Sequence, residues 1–296
     1  MKLTIISGRS GSGKSTALHV LEDAGFNCVD NIPVGLLPAL VHDALRDNRE
    51  QSQRMAVSID ARNLPHDLQL FPEILISIDR MKLDSEVIYL DALSPTLVRR
   101  FSETRRRHPL TSRTLDLHQA IETERQLLEN ISDIADLTID TTNLKSPDLV
   151  DLIRSRIVER SDSGMSLLFR SFGFKFGVPV DADQVFDTRC LPNPYWEPQL
   201  RSLNGQDQAV KDFLSDKTPV NEMYNDICIY LETWLPRFEA KNRIYMTVAI
   251  GCTGGQHRSV YLANRLEQHF SKRFDNVLVR HRELGLSAES DRETTT

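Results

Sequence analysis

Residues 3–15 read LTIISGRSGSGKS, an apolar run that leads directly into the pattern G-x-x-x-x-G-K-[ST]. The pattern predicts a phosphate-binding loop between a strand and a helix, because its glycines let consecutive backbone N–H groups turn towards one phosphate. Lys14 is expected to place its charge on the β- and γ-phosphates of ATP or GTP, and Ser15 to be a ligand of the accompanying Mg²⁺. The predicted loop consists of Gly8, Arg9, Ser10, Gly11, Ser12, Gly13, Lys14 and Ser15.

Short apolar segments alternate with helical stretches over residues 1–158. This alternation is typical of a parallel sheet covered by helices, so we expect an α/β fold with an N-terminal P-loop domain at 1–158. The predicted strands of this domain are Leu3–Ser7, Met55–Asp60, Glu86–Asp91 and Leu137–Asp140.

A stretch with few large apolar residues, 154–166, predicts the domain boundary. We expect a smaller C-terminal α/β domain at 164–286 and a flexible tail at 287–296, where the chain is polar. Helical periodicity predicts a helix over Val220–Phe238 and a second from about Arg258 to Phe270. The predicted strands are an opening run at Leu167–Phe176, then Tyr245–Ile250 and Val277–Arg280.

The composition is that of an ordinary folded protein, with 40% hydrophobic and 26% charged residues. Apolar runs fall far short of the roughly 18 residues that span a bilayer, so we expect no membrane association and a cytoplasmic location. Four scattered cysteines form no CxxC pair and predict neither a zinc site nor a disulfide framework. The net charge of −6 argues against a protein that coats nucleic acid with its whole surface, but it allows a local basic patch.

A P-loop enzyme also needs an acidic residue at the end of a neighbouring strand to orient Mg²⁺ or its water. Asp60 and Asp91 both end predicted strands, and each could instead cap a helix. Lys14 and Asp91 are the candidate catalytic residues. The arginines at positions 99, 100, 105, 106 and 107 could form a lid over the γ-phosphate, although a solvated helix face explains most of them equally simply.

A second strand–turn–helix signal lies at Ile250–Ser259, which reads IGCTGGQHRS. A glycine turn before a helix N-terminus predicts an anion site. Cys252 and Arg258 also have the C-x5-R spacing of cysteine-dependent phosphatases, but no general acid is evident nearby, so phosphate binding without covalent catalysis is favoured. His257 could bind a ligand or simply start the helix. Asp187 and Arg189 follow the opening strand of the second domain, where ligands of α/β sheets bind, and a carboxylate there suits sugar hydroxyls or an amine. Salt bridges to neighbouring arginines are the equally simple alternative.

Six segments in order along the chain closely resemble the RapZ family, also known as YvcJ-type nucleotide-binding proteins. The resemblance covers residues 3 to about 284 and is carried by 7–15 (SGRSGSGKS), 28–33 (CVDNIP), 104–110 (TRRRHPL), 171–175 (SFGFK), 191–194 (LPNP) and 251–259 (GCTGGQHRS). It implies a kinase-like N-terminal domain that binds and slowly hydrolyses ATP and GTP. A second nucleotide segment of the family corresponds to Asp60, Ala61, Arg62 and Asn63.

The resemblance also implies a C-terminal domain that is similar to sugar-phosphate enzymes and senses glucosamine-6-phosphate. The best-known members are homo-oligomers that bind a small regulatory RNA and deliver it to the endoribonuclease RNase E, controlling amino-sugar synthesis. The expected sugar-phosphate residues are Asp187, Arg189, Cys252, Thr253, Gly254, Gly255, His257, Arg258 and Ser259. The expected RNA-binding residues are Lys272, Arg273, Arg280, His281 and Arg282.

The C-terminal segment departs from the enterobacterial pattern, which ends in a run of lysine and arginine. Here residues 286–296 read LSAESDRETTT and carry acids instead. Each phosphate contact that is lost lowers affinity for RNA and its salt dependence, so the sequence supports RNA binding less firmly than nucleotide binding. Two alternatives stay open at this stage: a small-molecule P-loop kinase, with Asp30 as a substrate-binding acid, and a C-x5-R phosphatase regulated by a nucleotide domain.

Overall fold

A computed structural model describes residues 1–46, 54–81, 83–112, 114–160 and 164–284. The chain divides into two compact units, Met1–Glu159 and a second unit that begins at Arg160. The predicted flexible tail, 287–296, lies outside the described residues. Among the described helices, none is both long enough and apolar enough to cross a membrane.

The described part of the first unit contains a parallel sheet in the order β2-β3-β1-β4-β5. The chain leaves the central strand β1 for one side of the sheet and later returns to the other side, so a topological switch point lies beside β1. In open α/β sheets ligands bind at such a point, beyond the carboxyl ends of the strands. The strands are β1 (Lys2–Gly8), β2 (Asn27–Val29), β3 (Arg54–Ser58), β4 (Asp84–Asp91) and β5 (Leu137–Asp140).

Helices cover this sheet, and strand residues such as Ile5, Val57 and Val87 are almost completely buried. Strands that are buried on both faces read as continuous apolar runs, which is why β1 and β4 were readily predicted. The helices are α1 (Lys14–Asp23), α2 (Leu37–Arg46), α3 (Pro65–Gln69), α4 (Phe71–Asp79), α5 (Ser94–Thr104), α6 (Leu117–Leu127), α7 (Glu129–Asp133) and α8 (Ser146–Ile153).

The described part of the second unit contains a smaller parallel sheet in the order β7-β8-β6-β9. Its core lies between the sheet and its helices and includes Phe169, Val248, Leu231 and Leu266. The strands are β6 (Ser166–Gly173), β7 (Gln184–Asp187), β8 (Tyr245–Cys252) and β9 (Val277–His281), and the helices are α9 (Gln208–Ser215), α10 (Thr218–Glu239) and α11 (Arg258–Phe270). The α/β prediction for both halves is confirmed.

Three details differ from the sequence-based expectation. The opening run of the second unit ends as a strand at Gly173, and Phe174–Phe176 form a short 3₁₀ turn that leaves Phe176 exposed. The predicted strand at Met55–Asp60 ends at Ser58. The short strands β2 and β7 were not in the predicted set, because three or four residues of mixed polarity become a strand only through pairing with β3 or β8.

Candidate functional site

The loop after β1 requires glycine at two positions. Gly8 has φ +141°, and a Cβ there would overlap the carbonyl oxygen of Leu90 in β4. Gly13 has φ +108°, and a Cβ there would lie 2.5 Å from a methyl group of Leu149. Helix α1 then begins at Lys14 without a side-chain cap, so its first N–H groups are available to an anion.

Lys14 turns back over this loop, and its Nζ donates a hydrogen bond to the carbonyl oxygen of Gly8 at 2.6 Å. Burial lowers the pKa of Lys14 below its usual range, while the negative charges of Glu124, Asp60 and Asp30 oppose that shift. The hydrogen bond to Gly8 and the nearby carboxylates therefore hold the ammonium group within the loop, against the cost of burying its charge.

A cavity of about 540 Å³ lies beside the loop. Residues 10–16 form one wall, and Asp30, Asp60 and Arg62 line it as well. Three of the five arginines at 99–107 contribute to its lining, namely those at positions 100, 106 and 107. A space of this size with a cationic loop and an acidic group suits a phosphorylated small molecule.

Asp60 and Arg62 form an ion pair within this cavity. The carboxylate of Asp60 accepts the backbone N–H of Arg62 at 2.9 Å, and its other oxygen accepts the Nη2 group at 2.7 Å. Burial alone would raise the pKa of Asp60, but the hydrogen bonds from Arg62 and the charge of Lys14 outweigh it and lower that pKa. Asp60 is consequently a carboxylate near Lys14 and could orient Mg²⁺ or its water.

The other two residues of this segment have structural roles. Asn63 is buried, accepts the backbone N–H of Val34 at 2.8 Å and donates to the carbonyl oxygen of Ile32 at 3.2 Å. Ala61 is also buried. Among the four residues at 60–63, Asp60 and Arg62 are those that line the cavity.

Arg9 and Asp91 contact each other rather than the cavity. The Arg9 guanidinium, which is 4% exposed, donates to Asp91 Oδ1 at 2.6 Å, to Ser94 Oγ at 2.9 Å and to the carbonyl oxygen of Ala92. Asp91 also accepts the backbone N–H of Ala92. These contacts fasten the loop to the end of β4, so the geometry gives Arg9 and Asp91 a structural role, and of the two strand-end candidates Asp60 is the one that lines the cavity.

The turn after β8 encloses a buried thiol. Cys252 is 2% exposed, its Sγ lies 3.2 Å from the Ser259 hydroxyl, and it accepts the Gly255 N–H at 3.2 Å. Gly255 has φ +72°, and a Cβ there would lie 2.5 Å from the carboxylate of Glu283. Thr253 is exposed at the outside of this turn.

Arg258 and His257, at the start of α11, point into the protein. Arg258 is 4% exposed, and its Nη1 donates to the carbonyl oxygens of Arg189 and Leu191 at 2.9 and 3.0 Å. His257 Nε2 lies 3.0 Å from the carbonyl oxygen of Leu200, and burial lowers the pKa of this histidine. The two side chains hold the 189–200 segment in place, and Nη1 of Arg258 is engaged by main-chain carbonyls, whereas a C-x5-R phosphatase uses its guanidinium as a fork over the phosphate.

An exposed ion pair, Asp187 with Arg189, lies next to this turn. Arg189 donates to Asp187 at 2.7 Å and stacks over the Phe174 ring at 3.9 Å. These hydrogen bonds lower the pKa of Asp187. The Nε of Arg258 is buried and lacks a hydrogen-bond partner among the described residues. The second site therefore offers an exposed pair, a glycine turn and one unsatisfied buried donor.

Comparison with known proteins identifies the family to which both units belong. The sequence profile described as the RapZ-like N-terminal domain matches residues 1–161, and that of the RapZ C-terminal domain matches residues 165–285. The chain belongs to the RapZ family. The resemblance that the six sequence segments indicated is thus confirmed.

Relatives of this RapZ-family chain align over nearly their whole length. A protein of Ectopseudomonas mendocina is 57% identical over 284 residues, which cover 96% of this chain and 100% of the relative. A protein of Hahella chejuensis is 54% identical over 284 residues, which cover 96% of this chain and 99% of the relative. Both are named nucleotide-binding protein. A sugar kinase structure from Janibacter shares 15% identity over 52% of this chain and 93% of its own, with a TM-score of 0.35, which is too low to support an argument.

The five residues expected to bind RNA differ in exposure. Lys272 and Arg273 are exposed, whereas Arg280, His281 and Arg282 are partly buried. His281 Nδ1 lies 2.9 Å from the Ser171 hydroxyl, and burial lowers its pKa to about 4. Arg282 donates to Glu283 at 2.6 Å and to the carbonyl oxygen of Gly177 at 2.8 Å.

Sequence reasoning missed Glu124, which contacts the first loop, and His108, which contacts Glu124. Glu124 on α6 accepts both the N–H and the hydroxyl of Ser10, and His108 Nε2 lies 3.0 Å from Glu124 Oε2. Arg100, one of the arginines that the sequence suggested for a lid, donates to the carbonyl oxygen of Gly11 at 2.9 Å. No local pattern marks Glu124, because it lies 114 positions from Ser10 in the sequence.

Proposed function

We propose that this RapZ-family protein binds ATP or GTP with Mg²⁺ in the cavity beside the 8–15 loop and hydrolyses the nucleotide slowly. The observation that carries the proposal is the position of Lys14, held in a glycine loop at the start of α1 and close enough to the Asp60 carboxylate for their charges to interact. The naming of both relatives as nucleotide-binding proteins supports it.

Each group has a distinct role in this proposal. The N–H groups at the start of α1 hold the phosphates, and Lys14 compensates their charge. Ser15 would hold Mg²⁺ together with the phosphates, and the ion would neutralise charge that develops on them. Asp60, which Arg62 keeps ionised, would accept a hydrogen bond from water near the γ-phosphate.

A titration with ATP and with GTP, each with and without Mg²⁺, tests this function on the full chain. We expect saturable binding that Mg²⁺ strengthens, and slow release of phosphate from the bound nucleotide. A chain that is folded by circular dichroism and binds neither nucleotide would contradict the proposal. The ratio of the two affinities would also show which nucleotide the cavity prefers.

For the second unit we propose a sugar-phosphate sensor of the glucosamine-6-phosphate type. The turn at Thr253–Gly255 and the buried, unpaired Nε of Arg258 support an anion site, and the Asp187–Arg189 pair beside it suits hydroxyl or amino groups. Ser259 contacts the Cys252 thiol at the base of the turn, and His257 contacts the carbonyl oxygen of Leu200. Calorimetry of the full chain with glucosamine-6-phosphate tests this, with glucose-6-phosphate as the comparison.

Phosphate release measured in the same calorimetric samples separates a sensor from a phosphatase. Binding without release supports the sensor, and the buried position of Cys252 together with the main-chain contacts of Arg258 supports that outcome. Release that disappears in Cys252→Ser would reverse this interpretation. Absence of both binding and release would remove the sugar-phosphate proposal.

We further propose that the protein acts as a homo-oligomeric adaptor that binds a small regulatory RNA and presents it to an RNase E-type endoribonuclease. The exposed cations Lys272 and Arg273 support an RNA contact, and Arg280, His281 and Arg282 lie on or directly after the neighbouring edge strand β9. Gel shifts at several salt concentrations test it, because loss of two phosphate contacts in Lys272→Ala with Arg273→Ala should lower the salt slope by about 2.

A small-molecule kinase is the second candidate, because Asp30 and Arg62 line the same cavity as Lys14. An acid and a cation there could bind an acceptor that carries a hydroxyl and an anionic group. Adding glucosamine to a reaction with ATP distinguishes the two: transfer yields ADP without an equal amount of free phosphate, whereas hydrolysis yields equal amounts of both.

A further inference from the structure

A buried carboxylate holds the phosphate loop from outside the cavity. Glu124 has no exposed side-chain surface and accepts the Ser10 backbone N–H at 2.8 Å and the Ser10 hydroxyl at 2.7 Å. Ser10 itself lines the cavity. The position of the Glu124 carboxylate therefore determines where this part of the loop lies.

His108 supplies the third hydrogen bond to the same carboxylate. Its Nε2 lies 3.0 Å from Glu124 Oε2, and its Nδ1 accepts the backbone N–H of Leu110 at 3.2 Å. A ring nitrogen that accepts a hydrogen bond carries no proton, so the network assigns the proton to Nε2, which donates to Glu124. The imidazole is neutral in this arrangement, and its side chain is completely buried.

These contacts leave Glu124 as a buried carboxylate with three directed donors, all of them uncharged. An ionised group in such a place is tolerated only while its hydrogen bonds are satisfied, because water cannot replace a missing donor. Displacement of His108 would therefore displace the carboxylate and, through it, Ser10. The negative charge of Glu124 also acts on Lys14, where it opposes the effect of burial.

His108 belongs to a segment that reaches the cavity at several points. Arg106, Arg107 and Pro109 line the cavity on both sides of it in the sequence. The His108 ring also packs against Phe101, at 5.0 Å between ring centroids, and Phe101 lines the cavity as well. One set of hydrogen bonds thus connects the arginine segment, residues 105–109, to the phosphate loop.

We propose that His108 and Glu124 are positioning residues that couple the arginine segment to the phosphate loop. Arg106 then contacts the nucleotide from one wall of the cavity, and the phosphate loop contacts it from another. Through His108 and Glu124, the contact with Arg106 also stabilises the loop conformation that binds the phosphates. The proposal rests on the proposed nucleotide binding, since it needs a nucleotide in the cavity. Neither residue touches the reacting atoms in this scheme.

A double-mutant cycle with ATP as the probe tests the coupling. We expect Arg106→Ala to weaken ATP binding about tenfold in the native chain and less than about twofold when His108→Leu has removed the donor to Glu124. His108→Gln should restore most of the difference, because its amide can donate to the same carboxylate. Glu122→Gln is the matched control on α6, since Glu122 is exposed and pairs with Arg125.

Equal effects of Arg106→Ala in both backgrounds would overturn the coupling, and so would the lack of an effect in the native chain. If His108→Leu does not fold, the same cycle is measured with Ser10→Ala, which removes only the hydroxyl contact to Glu124. ATP binding without coupling refutes this inference alone. Absence of ATP binding in the native, folded chain refutes the proposed function and this inference together.

Discussion

The phosphate loop of the first unit and the Cys252–Ser259 turn of the second unit both join a parallel strand to the start of a helix. The first contains three glycines with positive φ (Gly8, Gly11 and Gly13) and the second contains one (Gly255), and each places a basic side chain near the helix N-terminus. In the first turn Lys14 donates to one loop carbonyl and lines a cavity. In the second, Arg258 is almost fully buried and donates to two carbonyls of a covering segment.

The difference shows that a strand–glycine–helix pattern predicts a place for an anion but not whether its cation is available. Lys14 has few internal contacts to lose and so is free to serve a ligand. Arg258 uses Nη1 to hold the 189–191 segment, and only its Nε lacks a partner among the described residues. We therefore expect substitution of Lys14 to affect ligand binding and substitution of Arg258 to affect stability.

The largest expected effect concerns the glycine that starts the first turn. Gly8→Ala should destabilise the chain by about 3 kcal/mol or more, because the new Cβ would overlap the Leu90 carbonyl oxygen at a φ that L-residues rarely adopt. Urea unfolding of the full chain measures this loss.

Gly35→Ala is the control for Gly8→Ala, since a Cβ at position 35 would meet open space. Equal unfolding midpoints for the two variants would show that β4 moves away from the loop without cost.

The next effect is on affinity rather than on folding. Lys14→Ala should weaken ATP and GTP binding roughly 100-fold, which is the scale of a lost charge-assisted contact. The thermal midpoint should not fall, because removing a buried charge offsets the loss of the hydrogen bond to the Gly8 carbonyl. Lys241→Ala, at an exposed lysine, serves as the control. A folded Lys14→Ala chain with native affinity would show that Lys14 does not contribute to nucleotide binding.

The corresponding change in the second turn should reverse this pattern. Arg258→Met keeps the length of the side chain but leaves the carbonyl oxygens of Arg189 and Leu191 without a donor, so we expect a loss of about 2 kcal/mol in unfolding free energy. Chemical denaturation measures it, with Arg273→Met as the exposed control. A native midpoint in Arg258→Met would mean that water satisfies both carbonyls.

The smallest expected effect is a loss of stability at acidic pH that comes from His281 in the second unit. Burial lowers the pKa of His281 to about 4, below the ordinary value of about 6.5, so the folded chain binds this proton less readily than the unfolded chain. The contribution to stability is full above pH 6.5 and is lost as the pH falls towards 4; after solvent screening we expect about 1 kcal/mol.

Urea midpoints at pH 7 and pH 5 measure the acid-induced loss. His281→Gln, which cannot titrate, should show a smaller loss between the two pH values than the native chain. An equal loss in both would assign the acid sensitivity to other groups, of which the buried His257, with a pKa that burial also lowers, is the first to test.

Much of the fold was predictable because its signals are local. The apolar runs of β1, β4 and β8 and the glycine loop at 8–15 carry their information within about ten residues, and the structure has each where the pattern indicated. The short edge strands β2 and β7 were not predictable in this way, since pairing with a neighbour makes them strands. The choice between Asp60 and Asp91 also stayed open, because both end predicted strands.

The sequence by itself determined the α/β class, the phosphate loop with Lys14 and Ser15, and the second glycine turn at 251–259, because each depends on residues that are adjacent along the chain. Only the tertiary structure decided how the neighbouring side chains are used. The sheet order brings Asp91 to Arg9, and the packing of α6 brings Glu124 to Ser10, across 82 and 114 positions. Hydrogen bonds act over about 3 Å of space whatever the separation along the chain, so the partners of buried charges such as Glu124 and Arg258 follow from packing alone.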